Sequence, residues 1–247
     1  MNTPWPYPLW IAHRGAGKLA PENTLAAFRL GAGFGFRAFE CDVKLSRDGV
    51  PFLLHDATLE RTTDGAGTAG ELAWSELATL DAGSWHGPAY AGEPLPRLDE
   101  IARFVIDHDC LLNIEIKPTP GLEGETGDVV AREAQRLWAG RAVPPLLSSF
   151  QPAALAAARG SAPGLPRALL LDELRAGWLD AAQALGCVAV VTNHKLMHAA
   201  LLEQLRAAGL RALCYTVTDA ATAARLSGLG VDGIITDAVD RLPAADG

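Results

Sequence analysis

The sequence predicts an α/β fold, a (β/α)8 TIM barrel in which eight strand and helix units close into a cylinder. Three observations support this prediction. The 247 residues are enough for one large core, 49% of them are hydrophobic, and short apolar runs alternate with helical segments along nearly the whole chain. A doubly wound sheet has the same local signals, but the number of strands favours the barrel. We therefore expect one domain over residues 1–247.

The predicted strands are short runs rich in leucine and β-branched residues. In chain order they are residues 10–14, 38–45 together with 51–56, 111–117, 146–150, 167–171, 188–193, 211–217 and 232–237. The two runs at 38–56 form one strand region, so the total is eight units.

Helical segments separate these strands. Four of them are residues 22–34, 128–140, 195–209 and 219–230. Several end at a glycine, the residue that helix C-termini prefer. The first follows a turn at Gly15 and Gly17, and Asn23 or Thr24 is predicted to cap it.

One connection is much longer than a barrel loop. About forty residues separate His55 from the helix that starts near Arg97, whereas such loops usually have about 2–6 residues. We expect residues 57–97 to form a small inserted subdomain between the second strand region and the second helix. Because the segment leaves the carboxyl end of a strand, where barrel enzymes carry their chemistry, it is predicted to be a lid. A self-packed flap is the alternative.

Charged side chains share one face in two of the strands. Side chains alternate along a strand, so Glu40 and Asp42 point the same way, as do Asn113, Glu115 and Lys117. Acids inside a barrel are costly unless they are paired or bind a metal. Three carboxylates on adjacent strands suit one hard divalent cation, Mg²⁺ or Ca²⁺. An ion-pair network is the alternative, and the spacing alone leaves both open.

Two histidines favour the cation. His13 ends the first strand and His55 ends the second strand region, so both are expected at the same rim as the acids, where they fit a general acid and base. Arg14 and Lys117 carry positive charges suited to phosphate oxygens. The three acids and two bases leave a net negative charge, which repels a phosphodiester monoanion until a divalent ion is present. Metal is therefore expected to be obligatory.

Composition and charge exclude several kinds of partner. The formal net charge is −8 and there is no basic run, which argues against nucleic acid and anionic membranes. No stretch reaches the ~18 apolar residues of a membrane span, and the first residues do not resemble a signal peptide. We expect a cytoplasmic protein that acts on a small molecule without membrane insertion; the oligomeric state is left open.

The motifs, taken in order, resemble the glycerophosphodiester phosphodiesterase family, in particular its cytosolic bacterial members. They are "HRG" with "PENT", "ECDV", "LLHD", "LERTTDG", "NIEIKP", "LLSSF" and "GVDGIITD". The resemblance implies the following roles: metal ligands Glu40, Asp42 and Glu115, catalytic residues His13 and His55, and phosphate-binding residues Arg14 and Lys117.

The resemblance also implies a reaction. It is metal-dependent hydrolysis of glycerophosphodiesters, such as glycerophosphocholine and glycerophosphoethanolamine, to sn-glycerol 3-phosphate and an alcohol. Alternatives are a lysophospholipase D-like phosphodiesterase or a lyase on the same scaffold, and a barrel that only binds phosphorylated metabolites.

Some residues near the strand ends carry weaker predictions. The family usually has Trp-Thr-Val-Asn where this chain has residues 215–218, Tyr-Thr-Val-Thr, so an aromatic is kept and an amide is lost. Tyr215 is predicted to be a wall of the substrate pocket, and Ser149 a hydrogen-bond donor at the barrel mouth. Asp232 and Asp237 flank the last strand and are predicted to cap loops.

Overall fold

The computed structural model describes residues 5–242, and its strands form a closed barrel. The strands are β1 (Trp10–Ala12), β2 (Ala38–Leu45), β3 (Pro51–Leu53), β4 (Leu111–Ile116), β5 (Leu146–Ser149), β6 (Arg167–Leu171), β7 (Ala189–Asn193), β8 (Arg211–Val217) and β9 (Gly233–Thr236). All except β3 run parallel to their neighbours, and β1 pairs with both β2 and β9. The predicted TIM barrel is therefore confirmed.

Helices surround the barrel. They are α1 (Leu25–Gly33), α2 (Trp74–Leu77), α3 (Leu98–Asp107), α4 (Glu123–Leu137), α5 (Pro152–Ser161), α6 (Trp178–Ala184), α7 (Ala199–Ala207) and α8 (Ala220–Leu229). The predicted helix at 128–140 begins five residues earlier in the structure. The prediction missed its first turn, "EGET", because that turn is polar and lacks an apolar period. Within residues 5–242, no helix is long and apolar enough to cross a bilayer.

The second strand region divides into two elements. β2 is a barrel strand, whereas β3 pairs antiparallel with it, Val43 lying opposite Leu53. After β3 the chain has returned to the level of Asp42, where the Leu54 N–H donates to the Asp42 carbonyl at 3.1 Å. This return carries His55 to the carboxyl end of the barrel.

The barrel strands separate an outer core from an inner one. Phe39 and Val43 of β2 face outward and pack in the largest apolar cluster, against the helices. Inside the barrel a second apolar cluster, including Tyr7 and Leu213, fills the amino end. The carboxyl end carries Glu40 and other polar side chains, so the interior is apolar at one end and charged at the other.

Residues 57–97 contain their own secondary structure and pack on the β1–α1 region. Two short 3₁₀ turns, Ala69–Glu71 and Pro88–Tyr90, accompany α2. A third apolar cluster includes Leu59 and Leu77 from this segment. The Glu93 carboxylate accepts from the backbone N–H of Ala26 at the start of α1. These contacts support our proposal that the chain is one barrel domain with an insertion at 57–97.

Candidate active site

Three carboxylates converge at the carboxyl end of the barrel. The parallel register of β2 and β4 places Glu40 opposite Asn113 and Asp42 opposite Glu115. All three acids are buried, and one oxygen from each lies within 4.8 Å of the others. Strand alternation therefore brings Glu40, Asp42 and Glu115 together as the sequence predicts.

Two basic side chains reach into this cluster. Lys117 Nζ donates to Glu115 at 2.7 Å and lies 3.3 Å from Asp42 Oδ1. Arg14 Nε lies 3.1 Å from Asp42 Oδ2, and Arg14 Nη1 donates to Glu22 at 2.7 Å. The ion pairs considered as the alternative to a cation site are thus present as well. Among the three converging acids and these two bases, one negative charge stays uncompensated.

The excess charge perturbs the acids themselves. Burial and repulsion from Asp42 and Glu115 hold the pKa of Glu40 well above its usual value, and burial followed by repulsion from Asp42 raises the pKa of Glu115. Burial opposes ionisation of Asp42 too, but Arg14 and Lys117 lower its pKa. A further positive charge would relieve the repulsion that, together with burial, raises the pKa values of Glu40 and Glu115.

The donor set fits a hard divalent cation. The three acids offer only carboxylate oxygens, which suit Mg²⁺ or Ca²⁺ better than a softer metal. Both polar atoms of the Asn113 amide, which lies beside the three acids, are buried without a hydrogen-bond partner among residues 5–242. Buried polar atoms are normally satisfied, so these orphaned atoms indicate a ligand of the site.

Each of the two histidines is held by an aspartate. His13 Nδ1 lies 2.6 Å from Asp237 Oδ1, and His55 Nδ1 lies 2.6 Å from Asp56 Oδ1. Burial opposes ionisation of Asp237, but the bond from His13 lowers its pKa; bonds from Arg61 and then His55 lower the pKa of Asp56. An ionised carboxylate only accepts, so Nδ1 of each histidine carries a proton, and Nε2 is the ring nitrogen that the aspartate does not hold.

The structure gives Asp237 a different role from the predicted loop cap. The sequence predicts that it caps a loop after the last strand, but its carboxylate accepts from His13. β1 pairs with β9, with Ala12 opposite Thr236, so the residues that follow the two strands are neighbours. Asp232, the other predicted loop cap, accepts from the backbone N–H of Ala212 in β8 and from the Arg211 side chain, so it binds the start of the neighbouring strand.

Three further residues, Glu22, Asn23 and Arg61, support the site through their side chains. Asn23 donates to Asp42 at 2.8 Å, and Thr24 rather than Asn23 is the N-cap residue of α1, accepting from the Ala27 N–H. Arg61 of the insertion donates to both Asp56 and Glu22. Asn23, Glu22 and Arg61 lie in the motifs "PENT" and "LERTTDG", but their partners are distant in the chain and cannot be found from spacing.

A cavity of about 350 Å³ opens beside these groups. Both histidines, Arg14 and Lys117 line it. Its lining, among the described residues, contains none from 57–97, so the structure shows no contact of the insertion with the cavity and the lid stays a prediction. The insertion packs against the β1–α1 turn instead, where His86 Nε2 lies 3.0 Å from the Lys18 carbonyl.

The far wall of the cavity contains Tyr215, as predicted, with Phe150. Ser149 is fully buried and donates to the Ile116 carbonyl. Its neighbour Ser148 lines the cavity instead. The reason is the phase of β5, because Leu147 packs in the outer core and Ser148 therefore faces inward.

Fold and site together define a class of protein. A closed α/β barrel carries a buried acidic trio, two bases and two aspartate-held imidazoles at the carboxyl ends of its strands, the end at which TIM-barrel enzymes place their chemistry. The class is a TIM-barrel enzyme whose cavity suits an anionic substrate together with a cation.

Comparisons with known proteins identify the family. The Glycerophosphoryl diester phosphodiesterase family profile matches residues 13–241. A glycerophosphodiester phosphodiesterase of Caldanaerobacter subterraneus subsp. tengcongensis is 34% identical over 236 residues, covering 93% of each chain. This chain belongs to the glycerophosphodiester phosphodiesterase family, whose members are hydrolases.

Solved structures agree with this assignment. An Oleispira antarctica phosphodiesterase in complex with the product sn-glycerol-3-phosphate is 34% identical, with a TM-score of 0.88 over 96% of this chain and 94% of that chain. The glycerophosphodiester phosphodiesterase of Agrobacterium tumefaciens is 29% identical, with a TM-score of 0.82 over 96% of this chain and 100% of that chain.

Proposed function

We propose that this chain hydrolyses glycerophosphodiesters such as glycerophosphocholine and glycerophosphoethanolamine to sn-glycerol 3-phosphate and an alcohol, with one Mg²⁺ or Ca²⁺ ion. The observation that carries the proposal is the convergence of three buried carboxylates beside two aspartate-held histidines in one cavity. The product bound to the Oleispira antarctica relative supports sn-glycerol 3-phosphate as the product here.

The charged residues bind the cation and the phosphate. Glu40, Asp42 and Glu115 hold the metal, which when bound supplies positive charge to the phosphoryl oxygens. Arg14 and Lys117 bind the phosphate and stabilise the negative charge that builds up on its oxygens during displacement. Glu22 fixes the Arg14 side chain, and Arg61 ties Glu22 to Asp56 beside His55.

The two histidines transfer protons. One imidazole accepts the proton of the attacking oxygen, and the other donates a proton to the oxygen of the departing alcohol. Asp237 and Asp56 keep Nδ1 protonated on His13 and His55, so Nε2 of each is the atom that exchanges protons. Attack by water and attack by the glycerol 2-hydroxyl, through a cyclic phosphate, use the same two groups.

The test is enzyme-coupled detection of sn-glycerol 3-phosphate with and without a chelator. We expect EDTA to abolish release and added Mg²⁺ or Ca²⁺ to restore it, and His13→Ala or His55→Ala to lower the rate about 10²–10⁴-fold. Full turnover in excess EDTA would contradict the proposal. Turnover of lysophosphatidylcholine with none of glycerophosphocholine would indicate the lysophospholipase D-like reaction.

A further inference from the structure

The cavity wall that lies across the barrel from the acids combines a carboxylate with two aromatic side chains. Around the barrel, β6, β7 and β8 lie opposite β1, β2 and β4. The wall contains Asp172 from the end of β6, Tyr215 of β8 and Phe150 after β5. The hydrolytic reaction proposed above uses none of these side chains.

Asp172 is held in place by two donors. Its Oδ1 accepts from Asn193 Nδ2 at 2.9 Å and from the Tyr215 hydroxyl at 3.1 Å. These two bonds lower the pKa of Asp172, so the side chain is a carboxylate at neutral pH. Burial and then the Asp172 charge raise the pKa of Tyr215, so the phenol keeps its proton and continues to donate.

Two aromatic rings stand beside this carboxylate. Tyr215 and Phe150 meet edge to face, with ring centroids 5.7 Å apart and an interplanar angle of 88°. Lys117 Nζ lies 5.7 Å from the Phe150 centroid. The aromatic pair therefore adjoins the phosphate-binding residues on one side and Asp172 on the other.

The charge of Asp172 is unfavourable for most phosphodiesters. The substrate phosphate is an anion, and a carboxylate in the same cavity repels it when the alcohol is neutral or negative. A cationic alcohol reverses the sign of this interaction. Aromatic faces next to a carboxylate are also the groups that bind ammonium and quaternary ammonium ions, through cation–π attraction.

We propose that Asp172, Tyr215 and Phe150 form a subsite for a positively charged alcohol, so that the enzyme selects amino-alcohol and quaternary ammonium phosphodiesters over those of neutral polyols. The inference rests on the proposed hydrolysis of glycerophosphodiesters and specifies its substrate class.

The experiment compares glycerophosphocholine, glycerophosphoethanolamine and glycerophosphoglycerol as substrates of the metal-loaded protein, with release of sn-glycerol 3-phosphate as the readout. We expect the wild type to favour the two cationic substrates. Asp172→Asn, which keeps the shape and removes the charge, should lower kcat/KM for them about three- to tenfold, mainly through KM. The rate on glycerophosphoglycerol should stay equal or rise, because a repulsive charge has been removed.

Two variants complete the test. Tyr215→Phe keeps the ring and removes one donor to Asp172, so it should show the same substrate pattern with a smaller loss. Glu173→Gln changes the neighbouring acid, which pairs with Arg175, and should leave all three rates unchanged. Melting curves check that each variant folds.

Several results would overturn the subsite. Equal wild-type turnover of the three substrates would do so. An equal loss of kcat/KM on all three substrates in Asp172→Asn would also do so, because that is the pattern of a residue that binds the glycerol or only supports the fold. Release from none of the substrates by the wild type would contradict the proposed hydrolysis as well.

Discussion

The two imidazoles of the cavity owe their orientation to different kinds of neighbour. Asp56 follows His55 directly in the chain, whereas Asp237 lies 224 positions from His13. In both pairs the carboxylate contacts Nδ1, so the proton is fixed on that nitrogen, and Nε2 is the atom to which the proposed hydrolysis assigns proton transfer. A positioning role for Asp237 follows, and it can be tested without touching the imidazole.

Asp237→Asn should lower kcat about 10²–10⁴-fold while KM changes little, because an amide no longer fixes the tautomer of His13. The measurement is kcat and KM for release of sn-glycerol 3-phosphate, with its pH profile, which should change because the partner of the imidazole has lost its charge. Asp240→Asn removes an exposed carboxylate three residues away and should behave as wild type. An unchanged kcat in Asp237→Asn would remove the positioning role.

At the scale of elements, the β1–α1 turn is packed tightly against the end of β9. Gly17 has a φ of +60°, and a Cβ at this position would lie 2.2 Å from the Asp237 carbonyl oxygen and 2.4 Å from its Cα. Arg14 also has a positive φ, 52°, and its backbone N–H donates to Glu40 at 3.2 Å. The turn therefore places His13, Arg14 and Asp237 relative to one another by backbone contact.

Gly17→Ala should shift the Asp237 backbone and lower both stability and activity, with a stability loss of about 1–3 kcal/mol from strain and steric overlap. Denaturant unfolding and the glycerol 3-phosphate assay measure the two effects. Gly33→Ala is the matched control, since nothing lies within 4 Å of the position that a Cβ would take at this helical glycine. Wild-type stability in Gly17→Ala would show that the two loops separate easily.

The insertion contains a carboxylate that stabilises its loop. Asp81 accepts from the Ser84 hydroxyl and from the backbone N–H groups of Ser84, Gly83 and Gly92. These bonds lower the pKa of Asp81, led by the Ser84 hydroxyl. A lowered folded-state pKa means that the stabilisation is fully present above the unfolded value of about 3.9 and is lost as the pH falls from that value through the lowered folded-state pKa.

We expect amide hydrogen exchange at Gly83, Ser84 and Gly92, corrected for intrinsic rates, to lose protection progressively between about pH 5 and pH 2, as the pH falls past the unfolded pKa towards the lowered folded-state pKa. In Asp81→Asn the protection should be low at pH 6 and nearly independent of pH, while Asp107→Asn, an exposed residue of α3, should follow the wild type. Protection that is constant over this range in the wild type would contradict the role of Asp81.

At the scale of the whole molecule, repulsion among the three buried acids destabilises the native state. Their carboxylates are partly neutralised by Arg14 and Lys117, and the pKa of Glu40 remains raised. The unfolded chain has no such convergence of charge. A divalent cation bound there, as we propose, would bind the folded protein preferentially and stabilise it by mass action.

Added Mg²⁺ or Ca²⁺ should raise the melting temperature by about 5–10 °C at a concentration near 100 times its Kd. Glu115→Gln removes the negative charge of one carboxylate in the cluster and should abolish most of this shift. Glu133, on the outer face of α4, pairs with Arg136, and Glu133→Gln should preserve the shift. Scanning calorimetry with and without the cation measures the shift. An equal shift in Glu115→Gln would place the cation elsewhere.

The strands were the most predictable part of the fold. β2, β6 and β8 have the predicted bounds of 38–45, 167–171 and 211–217, because runs of apolar and β-branched residues end sharply at polar or turn residues. The phase of β5 was not predictable, since "LLSS" has two leucines followed by two serines and fits either alternation. For this reason Ser148, and not Ser149, faces the cavity.

The sequence by itself determined the family, the barrel, and the shared face of Glu40 and Asp42, because periodicity and strand alternation are local properties of the chain. Only the tertiary structure decided which distant residues meet. Closure of the barrel pairs β1 with β9 and so brings Asp237 to His13, and the antiparallel return of β3 brings His55 to the mouth. Asp172 meets Asn193 and Tyr215 only because three strands end side by side. Such contacts depend on hydrogen-bond register between separate strands, which no local pattern of residues specifies.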